Sequence, residues 1–160
     1  MLDIELWSTN VGAGSVARPI VLSNGALHVG LNKYGEVHDF YFPHVGLENH
    51  AAGKGLRHRI GIWVGGQFSW LHDEGWQFTF DYHHNSLIGN LKAVNKDLGI
   101  TFQSDDFVSS DCDAFLRNIE VVNHFDHERE IRIFMHQVFN IGDDASYGDT
   151  AQYLPDSNSI

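Results

Sequence analysis

Trp76-Gln77-Phe78-Thr79-Phe80-Asp81-Tyr82 decides the fold class. Aromatic rings occupy every second position, and Gln77, Thr79 and Asp81 fill the positions between them. Successive side chains of a β-strand point to opposite faces of a sheet, so this spacing puts the rings on one face and the polar groups on the other. The stretch reads as a strand with its aromatic face on a core and its polar face in water.

The pattern continues on both sides. Upstream, Ile60, Ile62 and Val64 alternate, and Gly65-Gly66 turns the chain into Gln67–Trp70. Further back, Ile20-Val21-Leu22, the turn Ser23-Asn24-Gly25 and Ala26–Leu31 make a hairpin, since Asn and Gly tolerate positive φ. Asn32-Lys33-Tyr34-Gly35 is the next turn, and Glu36–Phe42 a third strand stopped by Pro43, which has no N–H for a ladder. Pro43–Leu56 reads as a loop. Downstream, Leu91–Val94 and Leu98–Phe102 flank a turn at Asn95-Lys96-Asp97. Asp105–Asp113 reads as an acidic connection, Phe115–Asn123 as a strand, His124–Glu128 as a turn and Ile131–Asn140 as the last long strand.

No stretch has a helical period. Short strands with turn chemistry between them imply an all-β, antiparallel β-sandwich. The domain is expected over residues 18–160, behind a flexible arm at 1–17 that is rich in Ser, Gly and Asn. The last strand adds a condition. Ile131, Ile133, Met135 and Phe139 share one face, and Phe134 and Val138 lie on the other. A strand apolar on both sides is expected to be covered on both sides, by a further layer or by a docked partner.

A formal charge of −11 disfavours nucleic acid, whose phosphates reward Lys and Arg, and disfavours an anionic membrane surface. It suits a soluble protein, and equally a neutral substrate such as a sugar. Cys112 is the single cysteine, so an intrachain disulfide is excluded. No apolar run is long enough to span a bilayer, and Met1-Leu2-Asp3-Ile4-Glu5 lacks the basic and apolar regions of a signal peptide; a cytoplasmic location is expected.

Several motifs dissolve when their context is read. Gly12-Ala13-Gly14-Ser15-Val16-Ala17 matches a dinucleotide fingerprint, but no strand precedes it and Arg18-Pro19 follows in place of a helix. No cofactor is expected. Eleven histidines include His44 with His50, His83 with His84, and His124 with His127, yet none of these groups has the ligand spacing of a zinc site, and no metal is expected. Asp105, Asp106, Asp111 and Asp113 lack the EF-hand pattern. Cys112 sits among these carboxylates, which raise a thiol pKa and make it a poor nucleophile. Glu48, Asp73 and Glu74 are carboxylates of the kind glycoside hydrolysis uses, but spacing along the chain gives no separation in space.

The loop Tyr41-Phe42-Pro43-His44-Val45-Gly46-Leu47-Glu48-Asn49-His50 concentrates rings, imidazoles and an amide. Rings stack on the apolar face of a pyranose, and amide and imidazole bond its hydroxyls. Phe42, His44, Asn49 and His50 are the candidate site residues. A packed surface loop with capping polar groups accounts for the same composition, and chemistry alone leaves both readings open.

At this loop the chain resembles a family. Asn24-Gly25, the segment from Gly35-Glu36-Val37-His38-Asp39-Phe40 through His50, Phe134–Ile141 and Gly148–Tyr153 together resemble the amino-terminal region of prokaryotic glucoamylase-like proteins of glycoside hydrolase family 15, which also holds glucodextranases and some trehalases. The resemblance implies a large supersandwich of the galactose-mutarotase-like kind, followed by a catalytic α/α-barrel that carries both catalytic glutamates. It therefore implies no catalytic residue here, and a sandwich incomplete at its C-terminus. The parent would hydrolyse terminal α-glucosidic bonds of oligo- or polysaccharides with inversion. The expected partner is the barrel of the same parent, and Phe42, His44, Asn49 and His50 would either rim its sugar site or buttress the domain contact. Exposed strands also imply self-association into a homo-oligomer. The alternatives are a stand-alone carbohydrate-binding or interaction module, and a small sugar epimerase with a histidine base.

Overall fold

A computed structural model describes residues 18–51, 58–140 and 154–158. Their secondary structure is all β. In chain order the strands are β1 (Ile20–Ser23), β2 (His28–Leu31), β3 (Val37–Tyr41), β4 (Arg59–Val64), β5 (Gln67–Trp70), β6 (Trp76–Tyr82), β7 (Gly89–Asn95), β8 (Ile100–Val108), β9 (Phe115–Asn123) and β10 (Ile131–His136). They form three antiparallel sheets, β1-β2-β3, β10-β4-β5 and β6-β7-β8-β9.

Both smaller sheets pack on one face of the four-stranded sheet. Cross-strand register places Phe80, Leu91 and Ser104 in one row and Phe78, Ala93, Phe102 and Val121 in the next. Ile60, Ile62 and Val64 of β4 meet this face together with Leu71 and Trp76. Ile20, Leu22, Val29 and Leu31 of β1 and β2 form a second cluster that reaches Phe80, Val108 and Phe115 at its other end. The contact there is close enough to select a residue. A Cβ on Gly89 would lie 2.5 Å from the Ile20 side chain, so β1 sits against bare β7 backbone. The arrangement is the expected antiparallel β-sandwich.

The alternation that decided the fold holds, with a gradient. Trp76 is buried, Phe78 and Phe80 are half-buried and Tyr82 is exposed, because β6 is an edge of its sheet. Tyr82 closes the gap with its hydroxyl, which accepts from the Val21 N–H at 2.7 Å and donates to the Val21 carbonyl at 3.0 Å.

Two expectations are corrected. Asp105 and Asp106 are not in a connection: β8 continues through them to Val108, and the turn runs from Ser109 to Ala114. Asp106 faces the core fully buried, and Arg117 on β9 neutralises it through Nε to Oδ1 at 2.5 Å and Nη2 to Oδ2 at 3.0 Å. The same Arg117 Nη2 donates to the Gly35 carbonyl at 2.9 Å, which ties the β2–β3 turn to the large sheet. Asp105 faces outward, where Asn90 and His83 bond it. The last strand is also shorter than its apolar run, since β10 ends at His136 and not at Asn140. Among the described residues nothing covers it on both sides: Ile133, Phe134 and Met135 are 42, 44 and 44 per cent exposed. The expected arm at 1–17, part of the 43–56 loop and most of 143–160 lie outside the described residues.

Candidate functional site

The chain after β3 folds back on the strand it has just left. Asn49 makes the closure. Its Oδ1 accepts from the N–H groups of Phe40 at 2.9 Å and Ala51 at 3.1 Å, and its Nδ2 donates to the His38 carbonyl at 3.3 Å and to Asp39 Oδ1 at 3.2 Å. The His50 N–H donates to the Phe40 carbonyl at 2.8 Å. Every polar atom of the Asn49 amide is thus spent on backbone or on Asp39, so Asn49 holds the loop rather than offering bonds to a ligand.

His50 is fixed from the other side. Its Nδ1 lies 2.7 Å from the Asn140 carbonyl, which can only accept, so Nδ1 carries the proton and Nε2 is the acceptor nitrogen of the neutral ring. The Asn140 N–H returns a bond to the His50 carbonyl at 2.9 Å, and the Asn140 amide donates to Glu48. The segment after β10 is therefore pinned to the 42–50 loop.

This pinning creates an open cleft of about 440 Å³ lined by Leu27, Phe40, Phe42, His50, Asp113 and Phe139. Phe40 and Phe139 meet edge to face at 5.6 Å, and Phe40 and His50 at 6.4 Å. Asp113 is held at the rim by Asn24, whose Nδ2 donates to it at 3.1 Å and also to the carbonyls of Ser109 and Cys112. The volume lies in the range of small-molecule sites, and the lining has their usual character: rings with few polar groups.

Of the four residues singled out by sequence, Phe42 and His50 line the cleft, Asn49 supports it from behind, and His44 is exposed and absent from the lining. Leu27, Phe40, Asp113 and Phe139 were not read from the sequence. Phe40 carried a signal, because it alternates with Phe42. Phe139 and Asp113 come from distant segments and carried none. Of the other candidate carboxylates, Asp73 Oδ2 caps the Trp70 N–H at 2.7 Å, Glu48 takes the Asn140 amide, and Glu74 is exposed.

Two polar clusters flank the cleft. Burial disfavours the Asp39 carboxylate, but hydrogen bonds and charge from Arg18 and His38 outweigh it and hold the carboxyl below the usual carboxylate range. On the far side of Phe139 lies His58, 5 per cent exposed, with its ring 4.4 Å from the Phe139 ring. It borders a smaller cavity of about 120 Å³, shared with Glu36, Arg59, Arg117, His136 and Gln137. Neither ring nitrogen makes a hydrogen bond of normal geometry. Loss of hydration pushes the His58 imidazole down to about 4; the Val138 carbonyl pulls the other way, and the charges of His136 and Arg117 push it further down.

The cleft lines an open space with aromatic rings, one imidazole and one carboxylate. It holds one carboxylate among its lining residues, whereas inverting glycoside cleavage uses two carboxyl groups about 6.5–9.5 Å apart. Among the described residues no group of His, Cys, Asp and Glu is placed to hold a metal ion, and no helix is long and apolar enough to cross a membrane.

Over 136 residues, 85 per cent of its length, the chain is 24 per cent identical to an uncharacterized glycosyl hydrolase of Methanocaldococcus jannaschii. It is similar to part of a glycosyl hydrolase. The match takes in 21 per cent of that protein, so the chain spans about a fifth of its relative's length. No family model matches the chain, and no solved structure does.

Proposed function

We propose that the chain is the non-catalytic N-terminal β-sandwich domain of a glucoamylase-like glycoside hydrolase acting on terminal α-glucosidic bonds. It supports or caps the catalytic α/α-barrel and presents the Phe40–Phe42–Phe139 cleft to glucan. The observation that carries this reading is the cleft itself: aromatic rings, an imidazole and a carboxylate lining a space of about 440 Å³. Rings take the apolar face of a pyranose, and His50 Nε2 and Asp113 take its hydroxyls. The similarity to a glycosyl hydrolase over most of the chain supports the class, and the single carboxylate in the cleft supports a binding role over a hydrolytic one. The acid and base of the parent reaction would then lie in the barrel, which protonates the leaving oxygen on one side and activates water on the other.

The test has two arms. NMR titration of the chain with malto-oligosaccharides should move the ring resonances of Phe42 and Phe139, and Phe42→Ala should weaken binding by about tenfold, as loss of one stacked ring implies. The reading frame beyond Ile160 should continue into a long helical region with two well-separated glutamates. Binding together with a stop codon at that point would replace the proposal by its runner-up, a stand-alone carbohydrate-binding module, for which the preformed cleft is the favouring observation. Hydrolysis by the chain alone would overturn both.

A further inference from the structure

We propose that the smaller cavity on the far side of Phe139 is a binding site for inorganic phosphate, held by His58, Arg59 and Arg117. The inference stands apart from the glycan reading. The cavity measures about 120 Å³. One water needs about 10–15 Å³ of such space, so the cavity takes a group of several heavy atoms, yet it falls well short of the roughly 300 Å³ at which sites for larger organic ligands begin. Val37, Ile60 and Phe115 line it beside the polar groups. A buried nitrogen facing apolar walls without a partner is costly, so native chains keep such groups where something bonds them.

The polar groups select the ligand. His58 is 5 per cent exposed with neither ring nitrogen in a hydrogen bond of normal geometry, and Arg59 Nε is buried and equally without a partner. Arg59 Nε can only donate. The His58 ring leans on the Val138 carbonyl, which can only accept, so the nitrogen on that side carries the proton and the other is an acceptor in the neutral ring. The ligand must therefore accept at one atom and donate at another. Arg117 adds a second guanidinium: it spends Nε and Nη2 on Asp106 and the Gly35 carbonyl, which leaves Nη1. Inorganic phosphate keeps at least one O–H at neutral pH, and this donates to His58 while its charged oxygens accept from the guanidinium nitrogens. Sulfate has the same shape but no proton to give, so it leaves the His58 acceptor unmet.

Charge agrees. The charged neighbours acting on His58 are His136 and Arg117, and both disfavour a further proton there, which marks a positive field at the ring. Glu36 is the carboxylate among the described lining residues, and its two oxygens are engaged by Asn32 Nδ2 at 3.0 Å and His72 Nδ1 at 2.8 Å. Asp106 is spent on Arg117. An anion beside His58 therefore meets donors, while both nearby carboxylates are held by partners of their own.

On the full chain at pH 7 and fixed ionic strength, inorganic phosphate should move the His58 ring-proton resonances saturably, and sulfate and chloride should not. Arg59→Leu should weaken phosphate binding by about tenfold, as loss of one charged hydrogen bond implies. Arg132→Leu removes a guanidinium that is outside the lining and bonded to Glu130, and it should leave binding unchanged. Sulfate should begin to bind as pH falls towards the His58 value of about 4, because both nitrogens of the protonated ring donate. His58 resonances that phosphate leaves in place would overturn the proposal, since water or the chain itself would then fill the cavity. An equal response to phosphate, sulfate and chloride at pH 7 would overturn it as an effect of salt alone, and so would phosphate binding undiminished by Arg59→Leu. If Arg59→Leu does not fold, the comparison of anions on the wild-type chain decides by itself.

Discussion

Single residues decide what the candidate loop does. His44 and Asn49 have equal standing in the sequence, but the structure separates them: Asn49 bonds the backbone of His38, Phe40 and Ala51, and His44 is exposed. Asn49→Ala should therefore cost on the order of 2 kcal/mol in chemical denaturation, because it leaves partly buried backbone groups without partners. His44→Ala should fall within about 0.5 kcal/mol of wild type, as surface substitutions do. His58 sets a pH dependence. Its folded pKa of about 4 lies below the ordinary 6.5, so the unfolded chain binds the extra proton between these values. Stability is full above pH 6.5 and declines as pH falls towards 4. The loss should be on the order of 2 kcal/mol, less than the whole shift implies, because the cavity beside the ring leaves room for the charged form to relax. Asp39 acts in the same direction but lower down: its depressed pKa gives stability that is present above the ordinary carboxylate value and lost as pH falls through the folded one. Denaturation at several pH values should show a decline between 6.5 and 4 that His58→Gln flattens, leaving the acid limb below 4.

At the scale of strands, periodicity was readable wherever one face is apolar and the other polar. Trp76–Tyr82 and Ile60–Val64 were found on that basis, and the Gly and Asn turns fixed their ends. The reading failed where charge enters the core. Asp105-Asp106 looks like a solvated connection in one dimension, because the arginine that compensates Asp106 comes from the next strand. Sequence offers no signal for that pairing. At β10 an apolar run on both faces predicts cover by a further layer or a docked partner; among the described residues Ile133, Phe134 and Met135 are exposed and β10 stands at the end of its sheet. The Asp106–Arg117 pair gives the prediction at this scale. Arg117 joins β9 to β8 and, through the Gly35 carbonyl, to the β2–β3 turn. Arg117→Met leaves a fully buried carboxylate unpaired and should cost about 3–5 kcal/mol. The double replacement Asp106→Leu with Arg117→Met should recover most of that loss, since it removes the charge instead of stranding it.

Across the whole molecule, the cleft depends on chain closure. Phe42 and His50 were legible because they share a loop, but the wall opposite them is Phe139, which follows the last strand and reaches the site only when both small sheets sit on the same face of the large one. Phe139 touches Phe40 in the cleft and His58 behind it, so one ring separates the open cleft from the buried imidazole. That position couples two properties that are otherwise unrelated. On the proposed glycan reading, Phe139→Ala should remove one ring of the cleft and weaken malto-oligosaccharide binding by about tenfold. It should also admit water to His58, and because burial is the main cause of its low pKa, that pKa should rise from about 4 towards 6.5. The gap between folded and unfolded values then narrows, and the stability loss on acidification narrows with it. An NMR titration of the His58 ring protons, run beside a binding titration on the same variant, measures both effects. If binding weakened while the His58 titration stayed near 4, Phe139 would be a platform residue only, and the burial of His58 would rest on its other neighbours around the smaller cavity.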